Sequence, residues 1–203
     1  MENVHQFIES GILEAYVMGS ASREESDLVE AMAVSSVEIR DEIASISEAL
    51  EMFAFANEVA PDPIVKPMLL ASIDYTERMK NGELPSFPPQ LNENSIVADF
   101  SQWLDRPDLI SPDDFDNIHA KIIGYAPHVL TAIVWVKEMA PQEVHDHEYE
   151  KFLIVEGTCD ITIGDKVHSL APGNFLSIPL HMPHHVVVTS IVPCKIVLQR
   201  VAA

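Results

Sequence analysis

The feature that most constrains this chain is a change of hydrophobic period between residues 81 and 95. Before it, apolar residues recur every three to four positions, as on the buried face of a helix. After it, they come in short runs and alternations, as in strands. A single sheet or a single bundle cannot bury both patterns, so the sequence predicts an α+β protein of two domains. Residues 1–80 are expected to form a small helical bundle and residues 96–203 an all-β domain. The stretch 81–95 holds Pro85, Pro88, Pro89, Asn92 and Asn94, follows neither period, and is expected to be a linker.

In the first part, Phe7, Ile8, Ile12, Leu13, Tyr16 and Val17 mark a first helix that Gly19 can end. Ser22 with Glu25 forms a capping box for a second helix, and Ser35 with Glu38 one for a third, whose stripe is Ile39, Ile43, Ile46, Leu50 and Phe53. After Pro61, Pro63 and Pro67 a fourth helix carries Met68, Leu69 and Ile73 to Asn81-Gly82. Met68, Leu69 and Ile73 are the expected partner-binding face, because a proline-tethered helix with such residues on one side can lie in a partner's groove.

From Ile96 onward, 97–104 reads as a short opening strand. The segments 121–125, 130–136, 159–163, 167–170, 175–178, 186–192 and 195–201 are further strands, with Gly164-Asp165 turning a hairpin. That many short strands broken by turns make a double-sheet jelly-roll barrel.

Composition narrows the function. A formal net charge of -20 argues against direct nucleic-acid or anionic-membrane binding, and an acidic chain more readily meets a basic protein surface. Two cysteines, Cys159 and Cys194, are too few for a disulfide framework and fit a reducing compartment. Both fall in strand patterns, where a buried, inert thiol is expected. The start Met1-Glu2-Asn3-Val4 lacks a basic leader and no apolar run reaches about 18 residues, so a cytoplasmic location is expected.

The chemistry concentrates in His145-Asp146-His147-Glu148-Tyr149-Glu150. On an extended strand His145 and His147 point the same way. A second strand could bring His184 back to the same cavity, and three imidazoles with a carboxylate suit a divalent metal such as zinc, iron, manganese or nickel. On a strand without a bend Glu150 would face away from the histidines, so its part requires a turn or bulge, and Glu148 is the alternative. Tyr149 could reach the pocket, and His185, His119, His128 and His168 are read as structural.

These residues carry a resemblance to the cupin superfamily. Six residues separate Glu150 from Gly157, and Gly173, Pro179 and His184 fall at the spacings of the second cupin motif. The chain departs from the pattern in the two-residue gap between His147 and Glu150, in Met139 and His181 at glycine positions, and in Val188 at the asparagine position. The resemblance implies a jelly roll with a divalent ion, zinc first, on His145, His147, Glu150 and His184, with His181 as a pocket residue behind the ligands.

The helical part, with Ser10-Gly11-Ile12-Leu13-Glu14-Ala15-Tyr16-Val17 and Val37-Glu38-Ile39-Arg40-Asp41-Glu42-Ile43, resembles the anti-sigma domain of bacterial anti-sigma factors, the RskA-like kind above all. The zinc motif HxxxCxxC of many members is absent, its places being held by Met32, Ser36 and Ile39. A helical anti-sigma domain followed by a cupin is the arrangement of ChrR-like anti-sigma factors. That resemblance implies a sigma factor as partner and release under oxidative stress. The alternative is a dioxygenase-like cupin enzyme with a helical oligomerisation domain. No arginine cluster for a carboxylate or phosphate substrate stands out in 96–203. A homodimer through edge strands of the barrel is plausible for either.

Overall fold

The computed structural model describes residues 4–203; Met1-Glu2-Asn3, part of the basis for expecting no leader, lies outside the described residues. Two compact units divide the chain, Met1–Ala60 and Pro61–Ala203.

The first unit holds α1 (Val4–Ile8), α2 (Ile12–Val17), α3 (Arg23–Ser35) and α4 (Val37–Ala56). The single first helix read from the sequence is two, because Gly11 takes a left-handed φ of 81° between them. Leu13, Val29 and Ile39 form the core, with Phe7, Tyr16, Met32, Ile43 and Ile46 packed around it. The Ser22–Glu25 capping box is present. At α4 the cap is Ser36 rather than Ser35: Ser35 still belongs to α3, whereas Ser36 is extended and accepts from the backbone N–H of Ile39 at 3.3 Å. Past Ile46 the apolar side of α4 is uncovered, with Met52, Phe53 and Phe55 each about two-thirds exposed.

The second unit begins earlier than the change of period suggests. Its first helix, α5 (Val65–Lys80), is the expected fourth helix of the bundle, but it packs on the barrel. Ala71 is buried in the barrel core, and Met68 and Tyr75 pack against that core. Asp74 takes Lys121 at 2.6 Å and Arg78 at 3.0 Å. Of the expected partner-binding residues, Met68 therefore faces inward, while Leu69 and Ile73 stay about half exposed.

The stretch 81–95 is irregular in backbone yet docked. Leu91 is fully buried and its N–H donates to Gln199 at 2.7 Å. Ser86 donates to the carbonyl of Ile123. Gly124 has no side chain because Pro88 stands there: a Cβ at Gly124 would lie 2.2 Å from Pro88 Cδ. The expected strand at 97–104 is instead a 3-10 turn (Val97–Phe100) and a short helix, α6 (Ser101–Leu104). Phe100 and Trp103, three apart, both turn inward from it and are buried.

Nine antiparallel strands follow: β1 (Ile118–Ala126), β2 (Val129–Val136), β3 (Met139–Glu143), β4 (Glu148–Glu156), β5 (Cys159–Ile163), β6 (Lys166–Leu170), β7 (Phe175–Ile178), β8 (His184–Val188) and β9 (Cys194–Ala202). They form a five-stranded sheet, β1-β2-β9-β4-β7, and a four-stranded sheet, β3-β8-β5-β6. The inner faces meet through Val134, Phe152, Ile154, Ile161, Ile196 and Leu198. The outer face of the five-stranded sheet carries Ile133, Trp135, Leu153 and Val197, and Leu91, Phe100, Trp103 and Leu109 cover it. Being buried on both sides explains the near-continuous apolar runs of β2 and β9. Residues 81–110 are accordingly a third layer of the barrel domain, not a free tether.

Candidate metal centre

The site lies at one end of the inter-sheet core, where β3, β4, β8 and β9 meet. The chain leaves β3 at Glu143, runs on through Val144 and His145, bends at Asp146 and His147, and starts β4 at Glu148. Glu143 and His145, two apart, are both partly buried, and Val144 between them is exposed, as alternation requires. The bend then breaks the alternation. It brings Glu150 into the interior, 3% exposed, and leaves His147, Glu148 and Tyr149 exposed.

Four groups therefore converge: Glu143, His145, Glu150 and His184, whose ligand atoms all lie within 4.8 Å of one another. Three of the four expected ligands are among them. His147 stands apart, because the two-residue gap before Glu150 makes His147 itself part of the bend. Glu148, the alternative carboxylate, faces away.

Glu150 Oε2 accepts from His184 Nε2 at 3.0 Å and lies 3.4 Å from His145 Nε2. His145 Nε2 is also 3.4 Å from Glu143 Oε2, and it is buried without a hydrogen bond. His184 Nδ1 donates to the carbonyl of Met182 at 3.1 Å, which leaves Nε2 pointing at the cluster. Arg200 of β9 ties the carboxylates together, Nε to Glu150 Oε1 and Nη2 to Glu143 Oε2, both at 3.1 Å. β9 runs beside β4 with Arg200 opposite Glu150, so the register places this contact.

Electrostatics separates the two carboxyls. Burial pushes Glu150 up, but the close approach of His145, the hydrogen bond from His184 and the charge of Arg200 outweigh it and hold Glu150 well below the usual carboxylate range. For Glu143 burial comes first, the neighbouring charge of Glu150 adds to it, and the pKa is raised. His184 is lowered by burial and raised more by Glu150 and the Met182 carbonyl.

The donor set fits a divalent ion. A metal at about 2.0–2.2 Å from each donor sets neighbouring donors about 3.0–3.5 Å apart; His184–Glu150 at 3.0 Å and His145 with Glu143 and with Glu150 at 3.4 Å fall in that interval, and the whole set lies within 4.8 Å. The orphaned Nε2 of His145 is a buried donor atom for which such an ion would be the partner.

His181 does not reach the cluster. Its ring pairs with Asp146 at 3.0 Å on the exposed rim, and its N–H donates to the carbonyl of His145 at 2.9 Å, which ties the two loops together. It occupies a left-handed φ of 59°, the backbone reason that the cupin pattern has glycine at this position. Gly157 keeps its motif glycine for the same reason, with φ 71° and Pro193 O within 2.9 Å of where a Cβ would stand.

Sequence reasoning passed over Glu143 and Arg200. Glu143 was legible as the residue two before His145 on the same extended segment. Arg200 was not, since it depends on pairing between distant strands. His185, read as structural, lines the cavity beside His184. Cys159 and Cys194 are free and buried, as expected for inert thiols.

A two-sheet antiparallel barrel with a histidine–carboxylate cluster at one end defines the class. Within it, the C-terminal region of this chain is a cupin domain: the family profile described as "Cupin domain" matches residues 131–199. No curated protein matches the chain. Similar solved structures include KdgF from Halomonas sp., at 20% identity over 44% of this chain and 83% of that one, TM-score 0.40. A protein described as a predicted oxalate decarboxylase from Thermotoga maritima is 12% identical over 42% and 81%, TM-score 0.41. A cupin superfamily protein from Desulfitobacterium hafniense is 16% identical over 60% and 100%, TM-score 0.43. What those proteins do does not carry over to this chain.

Proposed function

We propose that the chain is a two-part regulator, a ChrR-like anti-sigma factor. Its helical part masks an extracytoplasmic-function sigma factor, and its cupin holds a divalent ion, zinc first, that supports release under oxidative stress. The observation that carries this reading over an enzyme is the size of the cavity at the cluster. It is about 40 Å³ and walled by Ile118, Val134, Phe152, Val186 and Leu198. Sites for organic ligands run to roughly 300–1,000 Å³, and at ~10–15 Å³ per water-sized probe this one holds about three waters. Such a cavity suits an ion and its waters, not a carbon skeleton. The wider cleft, about 440 Å³ between α5 and β1, includes none of the four groups.

Two further features support regulation. The helical unit carries thirteen acidic side chains against Arg23 and Arg40, together with the uncovered Met52, Phe53 and Phe55, a combination suited to a basic, partly apolar protein surface. Ile64, which precedes α5, lines the cavity, so a change there bears on the segment that follows Ala60. Leu69 and Ile73 remain candidates for partner contact, whereas Met68 does not. Among the described residues no helix is long and apolar enough to cross a membrane. A cytoplasmic location and a homodimer through the cupin belong to the same proposal.

The test is a pull-down of the intact chain from its native cytosol, with metal measured on the same sample. A sigma factor at about one-to-one stoichiometry is expected. Recovery of one metal per chain with no sigma factor would move the function to the enzyme, to be followed by oxygen-uptake screening with small substrates.

A further inference from the structure

We propose that Glu143, and not His147, completes the ligand set with His145, Glu150 and His184, and that Arg200 is the reason a second carboxylate is needed. The inference rests on the metal-binding reading above and specifies its donors.

The backbone excludes His147 first. Only two residues separate it from Glu150, so the turn that brings Glu150 inside is made by Asp146 and His147, and the imidazole is carried to solvent. Strand alternation selects Glu143, because it precedes His145 by two and shares its inward face. Its side chain is 13% exposed, against 14% for that of His145, and the two meet at 3.4 Å.

Charge then requires it. Arg200 is permanently cationic and sits 3.1 Å from Glu150, behind the donors. With Glu150 as the lone carboxylate, a divalent ion and the guanidinium would leave the buried site with two positive charges in excess. Glu143 halves that excess, and its Oε2, 3.1 Å from Arg200 and 3.4 Å from His145, already lies between the two. Arg200 also takes Oε1 of Glu150, so Oε2 alone is presented to the histidines. The centre has two nitrogen and two oxygen donors in place of three nitrogens and one oxygen.

The experiment compares the intact wild type with His147→Ala and Glu143→Gln. Metal content, zinc affinity by chelator competition, and the visible spectrum of the cobalt(II) form are read, with circular dichroism to check folding. His147→Ala is expected to keep one metal per chain, an affinity within about threefold and an unchanged cobalt spectrum. Glu143→Gln is expected to bind at least about tenfold more weakly and to change the spectrum, which a merely structural Glu143 would leave alone. If Glu143→Gln does not fold, Glu143→Asp keeps the charge beside Arg200 and withdraws the donor, and the same spectral change is expected. A wild type that binds metal and a His147→Ala variant that loses it would overturn this ligand assignment alone. A wild type that binds no metal would overturn the metal reading itself.

Discussion

At the scale of single residues, the site depends on one guanidinium serving two carboxylates. Glu143 and Glu150 lie on different strands, and Arg200 hydrogen-bonds to both. Burial disfavours Arg200's charge, yet the two glutamates raise its pKa further still, so it remains a cation throughout the working range. Arg200→Met would leave two buried carboxylates facing each other without it, and removing one partner of such a group costs about 3–5 kcal/mol. We therefore expect a large fall in the thermal midpoint of metal-free Arg200→Met. Saturating zinc should recover part of the loss, because the ion supplies the missing positive charge. Equal midpoints for metal-free wild type and variant would show that the pairing contributes nothing.

At the scale of elements, the helix α5 is held on β1 by apolar contact through Ala71, Met68 and Tyr75 and by a chain of ion pairs. Asp74 takes Lys121 and Arg78, Arg78 also takes Glu83 at 2.8 Å, and Glu83 takes Arg106 at 2.8 Å. Burial raises the Asp74 carboxyl, but Lys121 and Arg78 bring it below its ordinary value; Glu83 is lowered, by Arg106 first. Carboxyls lowered in the folded state stabilise it above their unfolded values of about 4. That contribution is lost as pH falls through the folded values. Acid is thus expected to loosen α5 below about pH 4, read as faster amide exchange in 65–80. Asp74→Asn should cost about 1 kcal/mol at neutral pH and flatten the acid dependence. An exchange profile of α5 that does not move with pH would refute this.

For the whole molecule, the covering layer decides where the barrel begins. A fragment spanning 61–203 retains α5 and the segment with Leu91, while one spanning 96–203 strips both and exposes part of the faces they cover. The first is expected to unfold cooperatively. The second should melt at lower temperature or aggregate, since uncovered apolar sheet surface is an association site. Equal midpoints would return residues 61–95 to the role of a linker.

Much of this was determined by the sequence alone. Local rules act over a few residues, so the period change announced helices before strands. The Ser22–Glu25 box placed the start of α3, and the spacings of His145, Glu150, Gly157 and His184 announced a cupin and three residues of its cluster. Where local rules left a choice, tertiary structure made it. Helix α5 has an apolar side that would suit a bundle as well as a sheet, and only the Lys121–Asp74 pair and the core around Ala71 assign it to β1. Residues 97–104 are apolar enough for a strand, but the outer face of the sheet required Phe100 and Trp103 on one side of a helical turn. Alternation placed His147 with His145 until a bend, set by where β4 must start to bring Glu150 inside, turned it out and left Glu143 in its place. Arg200 lies fifty residues from Glu150, and no local pattern joins them; the pairing of β9 with β4 does.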